Sequence, residues 1–139
     1  MRLTRGSDYG LRGVLHLARQ PMGKVLLVSE VARAEDVPES YLAKIFQDLS
    51  RTGLIISHRG AKGGFSLAKP SSEIAMKEVI EAIEGLIALC PCLDPRQGCE
   101  RMKKCAVHLA LAQAQAELLA VLEETSIQSL AERAITLAD

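Results

Sequence analysis

The sequence contains no tryptophan, and only two tyrosines and two phenylalanines occur among its 139 residues. With so few aromatic side chains, the core has to be built from Leu, Ile, Val and Ala, a bias that favours helices. Hydrophobic residues still make up 48% of the chain. That is enough for one main domain with an additional segment.

No apolar run reaches the length of a transmembrane helix. Residues 1–10 are polar and charged, and they lack the apolar centre of a secretion signal. These absences predict a cytoplasmic protein that does not associate with a membrane. Disulfides are uncommon in that reducing compartment, so the four cysteines are predicted to be metal ligands or redox-sensitive thiols.

The formal net charge is zero, but the charges are unevenly distributed along the chain. Residues 1–70 carry eleven Lys and Arg against six Asp and Glu, a net charge of +5. Residues 71–139 carry six against eleven, a net charge of −5. A basic first half suits a polyanionic partner such as double-stranded DNA, although chance clustering of solvated charges would give the same imbalance.

Common enzyme motifs are absent from the sequence. It contains no Gly-x-Ser-x-Gly, no nucleotide-binding fingerprint and no paired carboxylates placed for acid–base catalysis. We therefore expect neither an enzyme nor a small-molecule substrate.

Residues 29–53 have the pattern of a helix-turn-helix, after a first helix that Ser7 is predicted to cap and that runs to about Arg19. Ser29 is predicted to cap a short helix, and a second helix should begin near Pro38 and end at Gly53. Two short helices joined by a tight turn often bind DNA. The outward side chains of the second helix include Ser40 and Lys44, which can contact phosphates and base edges. An ordinary amphipathic helix with a solvated face would show the same pattern.

Two predicted strands, 54–59 and 65–68, follow this motif and are joined by a glycine-rich turn. A helix-turn-helix followed by a basic hairpin predicts a winged helix with Arg59 and Lys62 in the wing. A phosphate-binding loop is not indicated, because the Gly-Lys-Ser/Thr ending of such loops is missing.

The second half begins with a predicted helix over 70–85 and continues, after the cysteines, with a predicted helix over 101–124. The latter is apolar on two faces, one of which includes Leu111 and Leu118, and would be roughly 35 Å long. Such a helix must be covered on both sides, which predicts a homodimer. We therefore predict a DNA-binding domain (1–85), a cysteine-bearing loop (86–100), and a dimerisation helix with a tail (101–139).

All four cysteines lie between residues 90 and 105. Six residues separate Cys92 from Cys99, and five separate Cys99 from Cys105. His108 follows Cys105 by three residues, which on a helix would place both on one face. Such donors suit an iron–sulphur cluster or a zinc ion in a Cys3His site. Cys90 falls outside the pattern and is taken as a spare or redox-active thiol, or as a small loop residue.

The chain resembles the Rrf-two (Rrf2) family of bacterial winged-helix regulators, whose best-known members are the IscR and NsrR types. The resemblance covers nearly the whole length. It is carried by the cysteine stretch and by the motifs MRLT (1–4), DYGLR (8–12), SYL (40–42), GL (53–54) and RGAKGGF (59–65).

This resemblance implies a homodimeric transcription regulator, for example a repressor, that binds an inverted-repeat operator. It also implies that Tyr41 contacts DNA and that Cys92, Cys99 and Cys105 hold a 2Fe–2S or 4Fe–4S cluster, whose state sets DNA affinity. The fourth ligand would be His108, as in IscR-type members, or Asp8 of the other subunit, as in NsrR-type members.

Two features depart from the IscR type. The gap between the first two cysteines is one residue longer, and Ala43 stands where IscR-type members have an acidic side chain that helps them discriminate between DNA sites. The signal sensed does not follow from the sequence; nitric oxide, oxygen, iron–sulphur supply and redox state all act through such clusters.

Overall fold

The computed structural model describes residues 2–61 and 63–138, within which six α-helices and one two-stranded sheet occur. The helices are α1 (Arg5–Ala18), α2 (Val28–Glu35), α3 (Glu39–Arg51), α4 (Met76–Glu84), α5 (Ala106–Glu124) and α6 (Ile127–Ala138). The antiparallel strands are β1 (Ile55–His58) and β2 (Gly64–Leu67). The predicted fold class, mainly α with a small β-wing on a helix-turn-helix, is confirmed. No helix of the described residues is long and apolar enough to cross a membrane.

The N-cap of α1 lies three residues before the cap predicted at Ser7. Thr4 is the N-cap, and its hydroxyl oxygen accepts a hydrogen bond from the Ser7 amide at 3.3 Å. The Thr4 amide in turn donates to Glu84 Oε1 at 2.9 Å. Ser7 itself lies buried inside the helix. The start of α1 is therefore attached to the end of α4.

Glycines let α1 approach α3 and α4 closely. A Cβ atom on Gly13 would lie 2.6 Å from Cε1 of Phe46, and one on Gly10 would collide with Ile83. Phe46 is completely buried in α3 and contacts Phe65 of β2 edge-on, with 5.1 Å between ring centroids. The three helices and the wing thus share one core around Phe46.

The end of the chain returns to this core. Ile127, the first residue of α6, is completely buried in it. Two backbone hydrogen bonds hold this turn, from the Ile127 amide to the Ile74 carbonyl and from the Met76 amide to the Thr125 carbonyl, each 2.8 Å long. The division of the chain into three segments remains a prediction, but residues from both ends build the same core.

Several predicted element boundaries were wrong because short 3-10 turns precede the helices. Residues Ser71–Glu73 form one such turn, and α4 begins only at Met76, where the Glu78 carboxylate accepts from the Ala75 amide at 2.8 Å. Another turn occupies Met102–Lys104, so α5 begins at Ala106. With 19 residues, α5 is about 28 Å long, shorter than expected.

One smaller expectation also differs. Ser29 does not cap α2; Leu27 precedes this helix, with no side-chain hydrogen bond at the cap. The segment before α2 pairs with the sheet through a bridge between Leu26 and Phe65.

The close packing around Gly13 can be tested by adding one methyl group. Gly13→Ala should lower the free energy of unfolding by about 1 kcal/mol, because overpacking of about 1–3 kcal/mol exceeds the gain of about 1 kcal/mol in helix propensity. Gly6→Ala is the matched control in the same helix, since its Cβ would meet no atom closer than 3.3 Å. Urea denaturation measures both; equal stability of the two variants would contradict the packing described.

Candidate nucleic-acid interface and thiol site

The helix-turn-helix is formed by α2, α3 and the turn between them. Asp36 adopts a left-handed conformation with φ of 53°, which aspartate tolerates better than most residues. The Val37 amide then donates to the Ala32 carbonyl at 3.0 Å, and α3 begins directly after Pro38. This turn fixes the angle between α2 and α3.

The outer face of α3 presents the side chains predicted to contact DNA. Ser40, Tyr41 and Lys44 are all exposed. The ring of Tyr41 meets that of Tyr9 in α1 edge-on, with 5.6 Å between centroids, which holds it on the helix surface. Among the described residues, none forms an ion pair with Lys44, whereas Arg51 pairs with Asp48 at 3.3 Å. Lys44 is therefore available for a phosphate.

The wing is formed by β1, β2 and the turn between them, and backbone contacts hold its base in place. Phe65 and Leu26 exchange two backbone hydrogen bonds of 2.8 and 2.9 Å. Gly64, with φ of 143°, has no room for a Cβ against the Leu26 carbonyl. Arg59 follows β1 directly and is exposed. Lys62, the other predicted wing cation, lies outside the described residues.

Two of the predicted metal ligands contact each other. Cys92 Sγ lies 3.3 Å from Nδ1 of His108, which joins the cysteine loop to the first turn of α5. Cys92 Sγ also lies 3.1 Å from Cys90 Sγ, a neighbour that the spacing argument had left outside the site. The hydrogen bond with Cys90, together with burial, raises the pKa of the Cys92 thiol.

The other predicted ligands do not join this contact. Cys99 is exposed, and Cys105 is the half-buried N-cap of α5 with an extended backbone (φ −102°, ψ 112°). Cys105 thus lies at the start of α5 rather than inside the helix, and its role as a ligand together with His108 stays a prediction. Asp8 is exposed on α1 and forms an ion pair with Arg12 at 2.9 Å. In residues 2–61 and 63–138, no three His, Cys, Asp or Glu side chains are grouped to hold a metal ion.

A cavity of about 310 Å³ borders the contact between Cys92 and His108, and it is also lined by Gly98, one residue before Cys99. Thiols and an imidazole beside such a space are donors that an iron–sulphur cluster accepts. The chemistry of the donor set therefore fits a cluster, although only Cys92 and His108 are in contact within this single chain.

Asp94 shapes the long loop between Cys92 and Cys99, a role that the sequence arguments missed. Its carboxylate is 5% exposed and accepts from the amide, Nε and Nη2 of Arg96 at 2.8–2.9 Å. The hydrogen bonds from Arg96 hold the pKa of this carboxyl far below its usual range. These hydrogen bonds close the loop into a turn around Asp94. The sequence Asp-Pro-x-x-Gly at 94–98 could have indicated this turn, because such residues favour turns.

Helix α5 leaves apolar side chains exposed in the single chain. Val107, Leu109 and Val121 are 65%, 68% and 61% exposed. Of the residues predicted to form a dimer contact, Leu118 is half-buried and packs beside Ile80 and Leu122 in its own chain. Leu111 is also half-buried. Val107 and Val121 are fourteen residues apart, about four helical turns, so they lie on one side of α5, which we call the α5 apolar face. Leu109, two residues from Val107, lies on another side of the helix.

A comparison with protein families matches residues 3–133 to the Rrf2 model, described as an iron-dependent transcriptional regulator. Among solved structures, the oxidized form of Staphylococcus aureus CymR is 26% identical, with a TM-score of 0.71 over 95% of this chain and 97% of that chain.

A putative transcriptional regulator from Listeria innocua is also 26% identical, with a TM-score of 0.78 over 95% of this chain and 87% of that one. T. potens IscR, at 19% identity, shares the fold with a TM-score of 0.77 over 96% of this chain and 88% of that chain.

Proposed function

Because this chain belongs to the Rrf2 family of transcriptional regulators, we propose that it is a homodimeric sensor that regulates transcription through an iron–sulphur cluster. The observation that carries this proposal is the contact of Cys92 with His108, which joins the cysteine loop to α5. Helix α3, which we propose contacts DNA, and the proposed metal site are then joined within the same fold. The family match also argues against an enzyme, because it describes regulators.

DNA contact is assigned to α3 and the wing. Ser40 and Tyr41 lie in the first turn of α3, where side chains of such helices meet base edges in the major groove. Lys44 and Arg59 have no ion-pair partner among the described residues and are exposed, so both can neutralise phosphates. We also propose Lys62 as a phosphate contact, on the basis of the sequence alone.

The cluster is assigned to Cys92, Cys99 and Cys105, with His108 as the fourth ligand. His108 is preferred over Asp8 because it already contacts Cys92, whereas Asp8 is held by Arg12 and would have to come from the partner subunit. When bound, the cluster would supply a centre sensitive to redox state, oxygen or nitric oxide. The protein's own residues would link the cluster to DNA binding. A cluster bound by both the cysteine loop and the N-terminus of α5 would hold these two segments together.

Dimerisation is assigned to the α5 apolar face. Two copies packed through it would present two α3 helices to successive major grooves, about 34–36 Å apart. The operator is accordingly an inverted repeat. A change in the contact between the loop and α5 would alter the spacing of the two α3 helices, so cluster binding and DNA binding are linked in both directions.

A second candidate is a regulator without an iron–sulphur cluster, in which zinc occupies the same donors or the thiols themselves sense redox state. The contact of Cys90 with Cys92 at 3.1 Å favours the thiol form of this alternative. Colour separates the candidates, since a cluster absorbs visible light, whereas zinc and thiols do not.

The DNA assignment predicts that Lys44→Ala and Arg59→Ala each weaken operator binding and reduce the slope of log affinity against log salt by about one unit, because each removes a phosphate contact. Fluorescence anisotropy at several salt concentrations measures both quantities. Arg133→Ala is the control, since it removes an exposed cation from α6. If all three variants keep the wild-type slope, the assigned surface does not contact DNA.

The dimer assignment predicts that Val107→Glu and Val121→Glu yield folded monomers. A carboxylate on the α5 apolar face is solvated in the single chain but would be buried without a partner in a dimer. Light scattering at micromolar concentration, with circular dichroism as a check on folding, measures this. Met22→Glu, at an exposed residue outside α5, should leave the dimer intact. A monomeric wild-type protein would refute the assignment.

The cluster assignment predicts a brown protein when purification excludes oxygen, with visible absorption lost in Cys92→Ala, Cys99→Ala and Cys105→Ala. Cys90→Ala should keep the absorption. His108→Ala should change the spectrum and make the cluster labile; if Asp8→Ala does so instead, the fourth ligand comes from α1.

Sensing is tested separately by titrating one operator with cluster-loaded and cluster-free protein at the same salt concentration. Typical couplings of about 1–3 kcal/mol predict affinities that differ roughly 5- to 150-fold. Equal affinities would show that the metal only stabilises the fold.

A further inference from the structure

The structure assigns a second chemistry to the cysteine loop: we propose that Cys90 and Cys92 form a reversible disulfide in the metal-free protein. Their sulphur atoms lie 3.1 Å apart as free thiols. Disulfide bonds are about 2.05 Å long, so closure needs a movement of about 1 Å.

The backbone brings the two side chains together. Cys90 is extended (φ −152°, ψ 162°), and Pro91 then starts a 3-10 turn over Pro91–Leu93. The ring of proline fixes φ near −65°, which limits the other arrangements that the Cys-Pro-Cys segment can take. Because the chain changes direction between the extended residue Cys90 and the 3-10 turn that follows, the Cys90 side chain lies close to that of Cys92.

Access and surroundings distinguish this pair from the other cysteines. Cys90 and Cys92 are both half-exposed, so a small oxidant can reach them. Cys99 is exposed and Cys105 half-buried, yet neither has a sulphur contact like that of the pair. Redox-sensing cysteines are often accessible and have a neighbouring thiol that can resolve a sulfenic acid, and the pair meets both of these conditions.

The reaction balances with hydrogen peroxide as oxidant. One thiol sulphur attacks a peroxide oxygen, the O–O bond breaks, and a sulfenic acid and one water form. The second thiol sulphur then attacks the sulfenic sulphur, the S–O bond breaks, and a second water leaves. Two thiol hydrogens and two electrons pass to the peroxide, and an added thiol reverses the process by exchange.

The consequence for regulation rests on the proposed function. Cys92 is the proposed cluster ligand that contacts His108, and a sulphur bound to Cys90 is no longer available as a thiolate ligand. Oxidation of the metal-free protein would therefore prevent cluster loading until the disulfide is reduced. Cys90, which is not itself a proposed ligand, acquires a role as the thiol that protects Cys92 from irreversible oxidation.

Trypsin separates the relevant cysteines. Cleavage after Lys77 and Arg96 releases a peptide, 78–96, that contains Cys90 and Cys92 but neither Cys99 nor Cys105. Metal-free full-length protein is treated with stoichiometric hydrogen peroxide, then with iodoacetamide, and digested. We expect peptide 78–96 to be unalkylated and two hydrogen atoms lighter than its dithiol form, and to take two alkyl groups after reduction with dithiothreitol.

Matched variants separate this disulfide from other oxidation. Cys99→Ser and Cys105→Ser should still form it, and Cys90→Ser should not. Peptide 78–96 alkylated at both cysteines after peroxide, or carrying only sulfinic acid, would overturn the proposal.

A second readout tests the link to the cluster. Oxidised wild-type protein should take up iron and sulphide only after thiol treatment, as followed by visible absorption. Uptake by the verified disulfide form without reduction would overturn the link. If reduced wild-type protein never takes up a cluster, the proposed function fails, while the mass of peptide 78–96 still decides whether the disulfide forms.

Discussion

The contact of α1 with α3 and α4 is the constraint on which the rest of the structure depends. It is possible only because Gly10 and Gly13 have no side chains where Ile83 and Phe46 lie. Through it, α1 places Tyr9 beside Tyr41 on the face that we propose contacts DNA. The same contact fixes the end of α4 through the hydrogen bond of Thr4 with Glu84. Since the cysteine loop follows α4, its starting point is set by this packing.

The sequence predicted the fold well where local pattern decides the structure. The stripe of α3 (Leu42, Ile45, Phe46 and Leu49) is buried as expected, because its spacing leaves only one helical face for the core. The helix starts were predicted less well. Ser7 and Ser29 are reasonable caps, yet α1 begins after Thr4, which is bonded to Glu84, and α2 begins shortly after Leu26, which is paired with Phe65. Nothing local in the sequence reports such contacts.

The candidate site, like the fold, was predicted only where local spacing decides the arrangement. Spacing selected Cys92 and His108, and the structure brings these two together. Spacing gave no reason to include Cys90, because its contact depends on the turn after Pro91, nor did it reveal Asp94, whose carboxylate organises the loop. Assignment of Cys99 and Cys105 remains a prediction, since they do not meet the pair in the single chain. A site completed by a metal or a second subunit is specified only in part by one chain.

The two ends of α5 are held differently. Just beyond its C-terminal end, backbone hydrogen bonds join Thr125 and Ile127 to the segment before α4. On the N-terminal side, hydrogen bonds join α5 to the residues around the cysteines: Gln115, in the middle of the helix, accepts from the Leu89 amide, and His108, in the first turn, contacts Cys92. The first turn of α5 thus lies at the cysteines, and the far end lies at the backbone pairing with residues 74–76. A rotation of about 5° around that far end would move the first turn by roughly 2.5 Å, since the helix is about 28 Å long. A change at the sulphur atoms would therefore act on α5 where a given rotation moves it farthest.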